Sequence, residues 1–191
     1  MLKLLSIQQN EIQNEDHYII NNELDDLLNK ELVELFLKAN DCIDDENFLE
    51  AIEFYNLILK IDPKNISALI DKGVTLQILG RIKLSIRSFN KALELSPKNI
   101  DALINKGSAL HLSEQYFDAI ACYDEALKID PKYSMALAYK GLSLGELGNL
   151  TESINCFKKA LSIDEHCTLA QISKDTAQEL LKSINSNSKK L

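Results

Sequence analysis

Three histidines and four cysteines are the side chains best suited to hold a metal or attack a carbonyl in this chain of 191 residues. His17, His111 and His166 are scattered, with no His-x-x-x-His or Glu-x-x-His spacing to set two ligands on one helix face. Cys42, Cys122, Cys156 and Cys167 contain no Cys-x-x-Cys pair and no framework of the secreted type. They read as reduced, half-buried thiols, and Cys122 and Cys156 fall on neighbouring elements. There is no glycine-rich phosphate loop and no serine nucleophile elbow. Catalysis needs an acid, base or nucleophile converging in a cleft. The nearest approach to that is His111 with Glu146 about one unit further along, where a polar contact is the simpler role. The expectation is a non-enzyme without cofactor or metal.

Charge narrows the partners. The net charge is -8, whereas nucleic-acid binding depends on many cationic phosphate contacts and anionic membranes attract basic segments. Neither nucleic acid nor membrane is an expected partner. No stretch approaches 18 apolar residues, and Met1–Ile7 is too short for a signal core before Gln8-Gln9-Asn10. A cytoplasmic location is expected.

The elements that must position these residues recur every 34 positions. Pro63, Pro97 and Pro131 keep that spacing, as do Gly73, Gly107 and Gly141. Ala92, Ala126 and Ala160 form a third column, and Tyr55, Phe89, Tyr123 and Phe157 a fourth. A fixed period of this length marks stacked supersecondary units. Four units follow: 32–65, 66–99, 100–133 and 134–167. In the second, Ile66–Leu79 and Ile82–Leu95 each carry apolar residues at helical spacing. Gly80, Glu114 and Gly148 stand at the breaks, and Pro97 ends the unit because proline cannot continue the helical ladder.

Gly73, Gly107 and Gly141, with Ala39 in the same column, sit in mid-helix, where glycine costs about 1 kcal/mol against alanine. The expected reason is a close helix crossing, with Ala51, Ser85, Ala119 and Ser153 as its partner column. The aromatic column would then fill the wider end of each helix pair.

This pattern resembles the tetratricopeptide repeat over residues 32–167, about 70% of the chain. Two departures stand out. Leu35, Leu69, Leu103 and Leu137 replace the bulky aromatic usual in the first helix, and the fourth unit ends in Glu165-His166-Cys167 without a proline. The resemblance implies an all-α fold, a right-handed α-α superhelix of four helix pairs. Residues 168–183 would add a capping helix whose Leu169, Ile172, Thr176 and Leu180 face the last repeat. Residues 184–191 would be a disordered tail. The N-terminal extension, 1–31, would start the first helix near Glu23 and carry it to about Ile43. Residues 1–20 are either a leader or a short packed helix, or else an internal ligand of the groove.

The resemblance further implies a concave face on the first helices, where a partner protein would bind. The residues expected there are Phe36, Asn40, Ile70, Val74, Gln77, Ile104, Ser108, His111, Met135 and Leu142, with Ile78 and Leu112 beside them. Their apolar character suits a helix or an extended peptide with spaced apolar anchors. Chaperone adaptors of this family grip a C-terminal carboxylate with Lys, Arg and Asn. The matching positions here hold Phe36, Asn40, Asp71, Asp101 and Asn105 or, one repeat on, Ile70, Val74, Asn105, Met135 and Tyr139. Neither set supplies the cations. Lys72, Lys106 and Lys140 are expected to lay their stems over the helix junction with their heads in water.

The function expected is a protein-interaction scaffold. Its alternative is a self-associating structural module whose copies stack through their ends, or by a basic second repeat on an acidic first repeat, because charge is unevenly spread. Residues 1–65 hold 15 acids and 5 bases, whereas 66–99 hold 2 acids and 6 bases. Lys83, Arg87 and Lys91 are four apart and so line one face of a helix. Such a ridge is either a solvated face or a docking surface for the acidic first repeat of another copy.

Overall fold

The computed structural model describes residues 27–188. The leader, residues 1–20, and the helix start near Glu23 lie outside the described residues. Nine helices and no strand occur among the described residues. They divide into two compact units, the first ending at Pro63 and the second beginning at Lys64.

In the first unit, α1 (residues 27–44) is followed by α2 (Phe48–Ile61). Ala39, Ala51, Ile52, Tyr55 and Ile58 are buried, and the Tyr55 ring meets Phe36 edge to face with centroids 6.4 Å apart. Unlike its glycine counterparts, the small-residue column of this unit keeps a methyl group, at Ala39.

The second unit holds α3 (Ile66–Ile78), α4 (Ile82–Leu95), α5 (Ile100–Leu112), α6 (Tyr116–Ile129), α7 (Ser134–Glu146), α8 (Leu150–Ile163) and α9 (Thr168–Ser188). Each odd helix packs on the even helix that follows, and each even helix packs on the next odd one. The odd helices also touch their odd neighbours, while α4, α6 and α8 do not pack on one another. Within this unit the odd helices therefore form the inner row of a curved solenoid.

Local chemistry sets the ends of the helices. The Asn65 and Asn99 side chains accept from the Ala68 and Ala102 amides at 3.0 and 2.8 Å, capping α3 and α5. The turns inside the pairs use a residue in the left-handed region: Glu46 (φ 58°), Gly80 (φ 69°), Glu114 (φ 62°) and Gly148 (φ 77°). That conformation lets the Arg81, Gln115 and Asn149 amides reach back to the Leu76, Leu110 and Leu144 carbonyls at 2.8–2.9 Å. Glu114 is thus as sharp a break as the glycines, and Glu46 is a fourth that its residue type conceals.

The close approach at the glycines differs from the one expected. A Cβ on Gly73, Gly107 or Gly141 would meet the ring of Phe89, Tyr123 or Phe157 at 2.5–2.6 Å. The aromatic column, rather than the small one, lies on the glycines. Ser153 of the small column instead binds the α7 backbone, donating to the Gly141 carbonyl at 2.7 Å.

Helix α9 also departs from expectation. Its buried residues are Ala170 and Ala177, with Leu169 and Leu181 packed beside them against the α7–α8 core. Ile172 and Leu180, expected to cover that core, are 65% and 49% exposed. Two alanines let α9 settle closely on α8, which turns the larger side chains outward. Elsewhere on α9, Gln171 Nε2 donates to Asp175 at 2.6 Å, and Lys174 Nζ donates to Gln171 Oε1 at 3.1 Å. Asp175 takes the place of the repeat glycine, so no further ring could stack there. The helix continues through 184–188, where no glycine or proline interrupts its ladder.

Candidate functional site

The inner row of the second unit carries most of the residues singled out in the sequence. Ile70, Val74 and Gln77 lie on α3, Ser108 and His111 on α5, and Met135 and Leu142 on α7, all half-buried. Ile104 is different. At 7% exposure it belongs to the core with Leu103, Leu110 and Tyr123, because α5 has odd neighbours on both sides. It therefore offers no surface for docking, contrary to expectation. Ala138, in the same column, is fully buried. Phe36 is half-buried and Asn40 exposed on α1 of the first unit.

The polar residues of this face tie the inner helices together. Gln77 Nε2 donates to Ser108 Oγ at 3.0 Å across α3 and α5. His111 Nδ1 and Ser143 Oγ share a 2.9 Å hydrogen bond across α5 and α7. The His111 ring also meets Tyr116 edge on, with centroids 5.3 Å apart. Burial, together with the negative charges of Glu146 and Glu114, pushes the Tyr116 hydroxyl pKa up. The arrangement leaves His111 a bridging role. No group of three or more His, Cys, Asp or Glu side chains suited to a metal occurs among the described residues.

The surface left open is apolar and follows the repeat. Ile78 on α3 and Leu112 on α5 are 55% and 56% exposed, and Leu180 continues their column on α9. Ile172 extends the column of Ile70. A cleft of about 340 Å³ between α7, α8 and α9 takes Leu142, Ile172 and Leu180 into its walls. Gly145 keeps that cleft open: a β-carbon there would meet nothing nearer than Ser153 Oγ, at 3.4 Å. The sequence conceals the α9 contribution because helical periodicity assigns Ile172 and Leu180 to the packed face. Their 34-residue offsets from Ala138 and Glu146 are the available signal.

Acidic groups border this face. Asp71 is half-buried on α3, and burial raises its carboxyl pKa above the ordinary 3.8. Asp101 and Glu146 are exposed. In the lysine column, Lys140 Nζ pairs with Asp124 of α6 at 2.5 Å instead of ending in water. On the opposite side of the unit, Lys83, Arg87 and Lys91 lie along α4, all three exposed. No described helix is long and apolar enough to cross a membrane.

Two sequence profiles, both described as tetratricopeptide repeat, match the chain. One covers residues 100–133, the other 66–99 and 136–167. No curated protein matches the sequence. A crystal structure of MamA is 26% identical with a TM-score of 0.67, over 74% of this chain and 82% of that one. Residues 41 to the end of MamA from Desulfovibrio magneticus give a TM-score of 0.66 at 19% identity, over 84% and 96% of the two chains. A tetratricopeptide repeat protein from Parabacteroides merdae has a TM-score of 0.71 at 23% identity, over 82% and 62%. The last two likenesses concern the fold alone.

Proposed function

The chain belongs to the tetratricopeptide repeat family of protein-interaction modules, and from that premise we propose that it is a non-catalytic adaptor. It binds an apolar peptide or helix of another protein along α3, α5, α7 and α9. The observation that carries this reading is the exposed row of Ile78, Leu112 and Leu180 with Ile172 beside it, on the inner face of a curved unit. Ile78 and Leu112 stand one repeat apart, Glu146 takes that column on α7 and Leu180 resumes it on α9, which suits a ligand with spaced apolar anchors.

Charge refines the ligand. Asp71, Asp101 and Glu146 border the face, so a partner with Lys or Arg between its apolar anchors gains attraction, while a terminal carboxylate is repelled. Phe36 and Asn40 carry the same expectation for the first unit. Self-association concerns another surface, the outer face of α4.

A peptide library of apolar residues interspersed with either Lys or Glu tests the reading, with binding followed by fluorescence anisotropy. The basic set is expected to bind, and Ile172→Glu and Leu112→Glu, both at exposed positions, are each expected to weaken it at least tenfold. Equal binding of both sets, or indifference to both substitutions, would move the site off this face.

A further inference from the structure

The outer face of α4 concentrates the cations of an acidic chain. Lys83, Arg87 and Lys91 stand at i, i+4 and i+8 and make no side-chain hydrogen bond or ion pair with any described residue. Solvated helices commonly relieve such a row with acids one turn away, yet Glu94 is the one acid on α4. Beside the row lies a cleft of about 490 Å³ between the start of α4 and the α5–α6 turn. Ile82, Leu84 and Ile86 line it, and Arg81 and Lys83 stand at its rim. Leu84 is 43% exposed. An apolar recess edged by unpaired cations fits an apolar side chain flanked by carboxylates.

The same chain presents that chemistry in its first unit. Between Lys38 and Lys60 the sequence has six acids and no base: Asp41, Asp44, Asp45, Glu46, Glu50 and Glu53. All six are exposed at the α1–α2 turn and along the first turns of α2. Leu49 stands among them, 56% exposed, with Glu53 one turn away on the same face. We propose that the α1–α2 corner of one copy docks on the outer face of α4 of a second copy. Leu49 enters the Ile82–Leu84–Ile86 cleft, and Glu50 and Glu53 lie against Lys83 and Arg87. The two surfaces differ, so the contact is heterologous: each docked copy still offers one free surface, and assembly continues until a ring closes. This contact is independent of the peptide-binding face on the inner row.

Sedimentation velocity of the full chain over a wide concentration range, at low and high salt, tests it. At low salt the mass is expected to rise with concentration, and at high salt, which screens exposed charges, to stay at that of one chain. Lys83→Glu/Arg87→Glu and Glu50→Lys/Glu53→Lys are each expected to abolish the rise, and a chain with all four substitutions to restore it. That restoration excludes a general folding defect, since the four-fold chain carries every change present in the two failing ones. A wild-type chain that is monomeric throughout, association indifferent to salt and to either reversal, or no recovery in the four-fold chain would overturn the proposal.

Discussion

The ring of Phe89 lies across Gly73 so closely that a β-carbon there would come within 2.5 Å of its Cε1 atom. Tyr123 on Gly107 and Phe157 on Gly141 repeat the contact. A residue that weakens its own helix is therefore the seat of the largest buried side chain in each pair. The exchange favours the fold because a fully buried aromatic ring contributes more than the local propensity lost.

Gly107→Ala is expected to lower stability by about 1–3 kcal/mol, the usual cost of overpacking, although alanine is the better helix former. Urea unfolding measures it. Adding Tyr123→Leu, which removes the obstructing ring edge, should make the alanine less harmful than it is in the wild-type background. Equal damage in both backgrounds would show that the ring is not the obstacle.

Glu114 and Gly80 occupy the same left-handed turn position, at φ 62° and 69°. A side chain there costs about 1 kcal/mol or more, and nothing stands within 4 Å of a Cβ placed on Gly80. Glu114→Gly should therefore raise the urea midpoint, and Gly80→Ala should lower it by a similar amount without a steric clash. Opposite signs in the pair are the diagnostic outcome.

Ser85 and Ser153 share a column but differ in bonding. Ser85 Oγ is buried without a partner, whereas Ser153 Oγ donates to the Gly141 carbonyl. Ser153→Ala should cost about 1 kcal/mol. Ser85→Ala should be neutral or stabilising, as the alanines at 51 and 119 in that column suggest. Thermal melts of the two variants make the comparison, and a loss at Ser85 equal to that at Ser153 would contradict it.

Asp71 supplies a pH dependence. Burial raises its carboxyl pKa, so folding favours the protonated form. That contribution is fully present below the ordinary value of 3.8 and is lost as pH rises through the folded-state value. Asp71→Asn should consequently melt higher than wild type at neutral pH, with the gap closing as pH falls below 3.8. A gap that is constant with pH would assign the effect to packing.

Much of this architecture is legible in the sequence because glycine, proline and aromatic residues mark a period, and a period determines which elements are neighbours. It does not determine which columns touch. The partner of Gly73 depends on the rotation of α4 about its axis, so Ser85 and Phe89 are equally compatible with the spacing. Residue type misleads in two other places. Glutamate is not a turn signal, so Glu46 shows its role only through its distance from Gly80. In α9, amphipathic reading gives most weight to Ile172 and Leu180, yet small Ala170 and Ala177 allow the closer approach and take the buried side. The proposed binding face is legible as a set of columns, whereas the burial of Ile104 follows from how closely neighbouring odd helices stack.

The ring-on-glycine contact has a genetic corollary. Its two members always lie 16 residues apart within one unit, and the units follow at 34. Unequal crossing-over between the DNA of two units can delete or duplicate a whole cassette while leaving every ring above a glycine. A change of any other length would set the aromatic residues of one segment against the leucines or lysines of another. Descent is thus free to lengthen or shorten the inner row of helices, but only in steps of one unit.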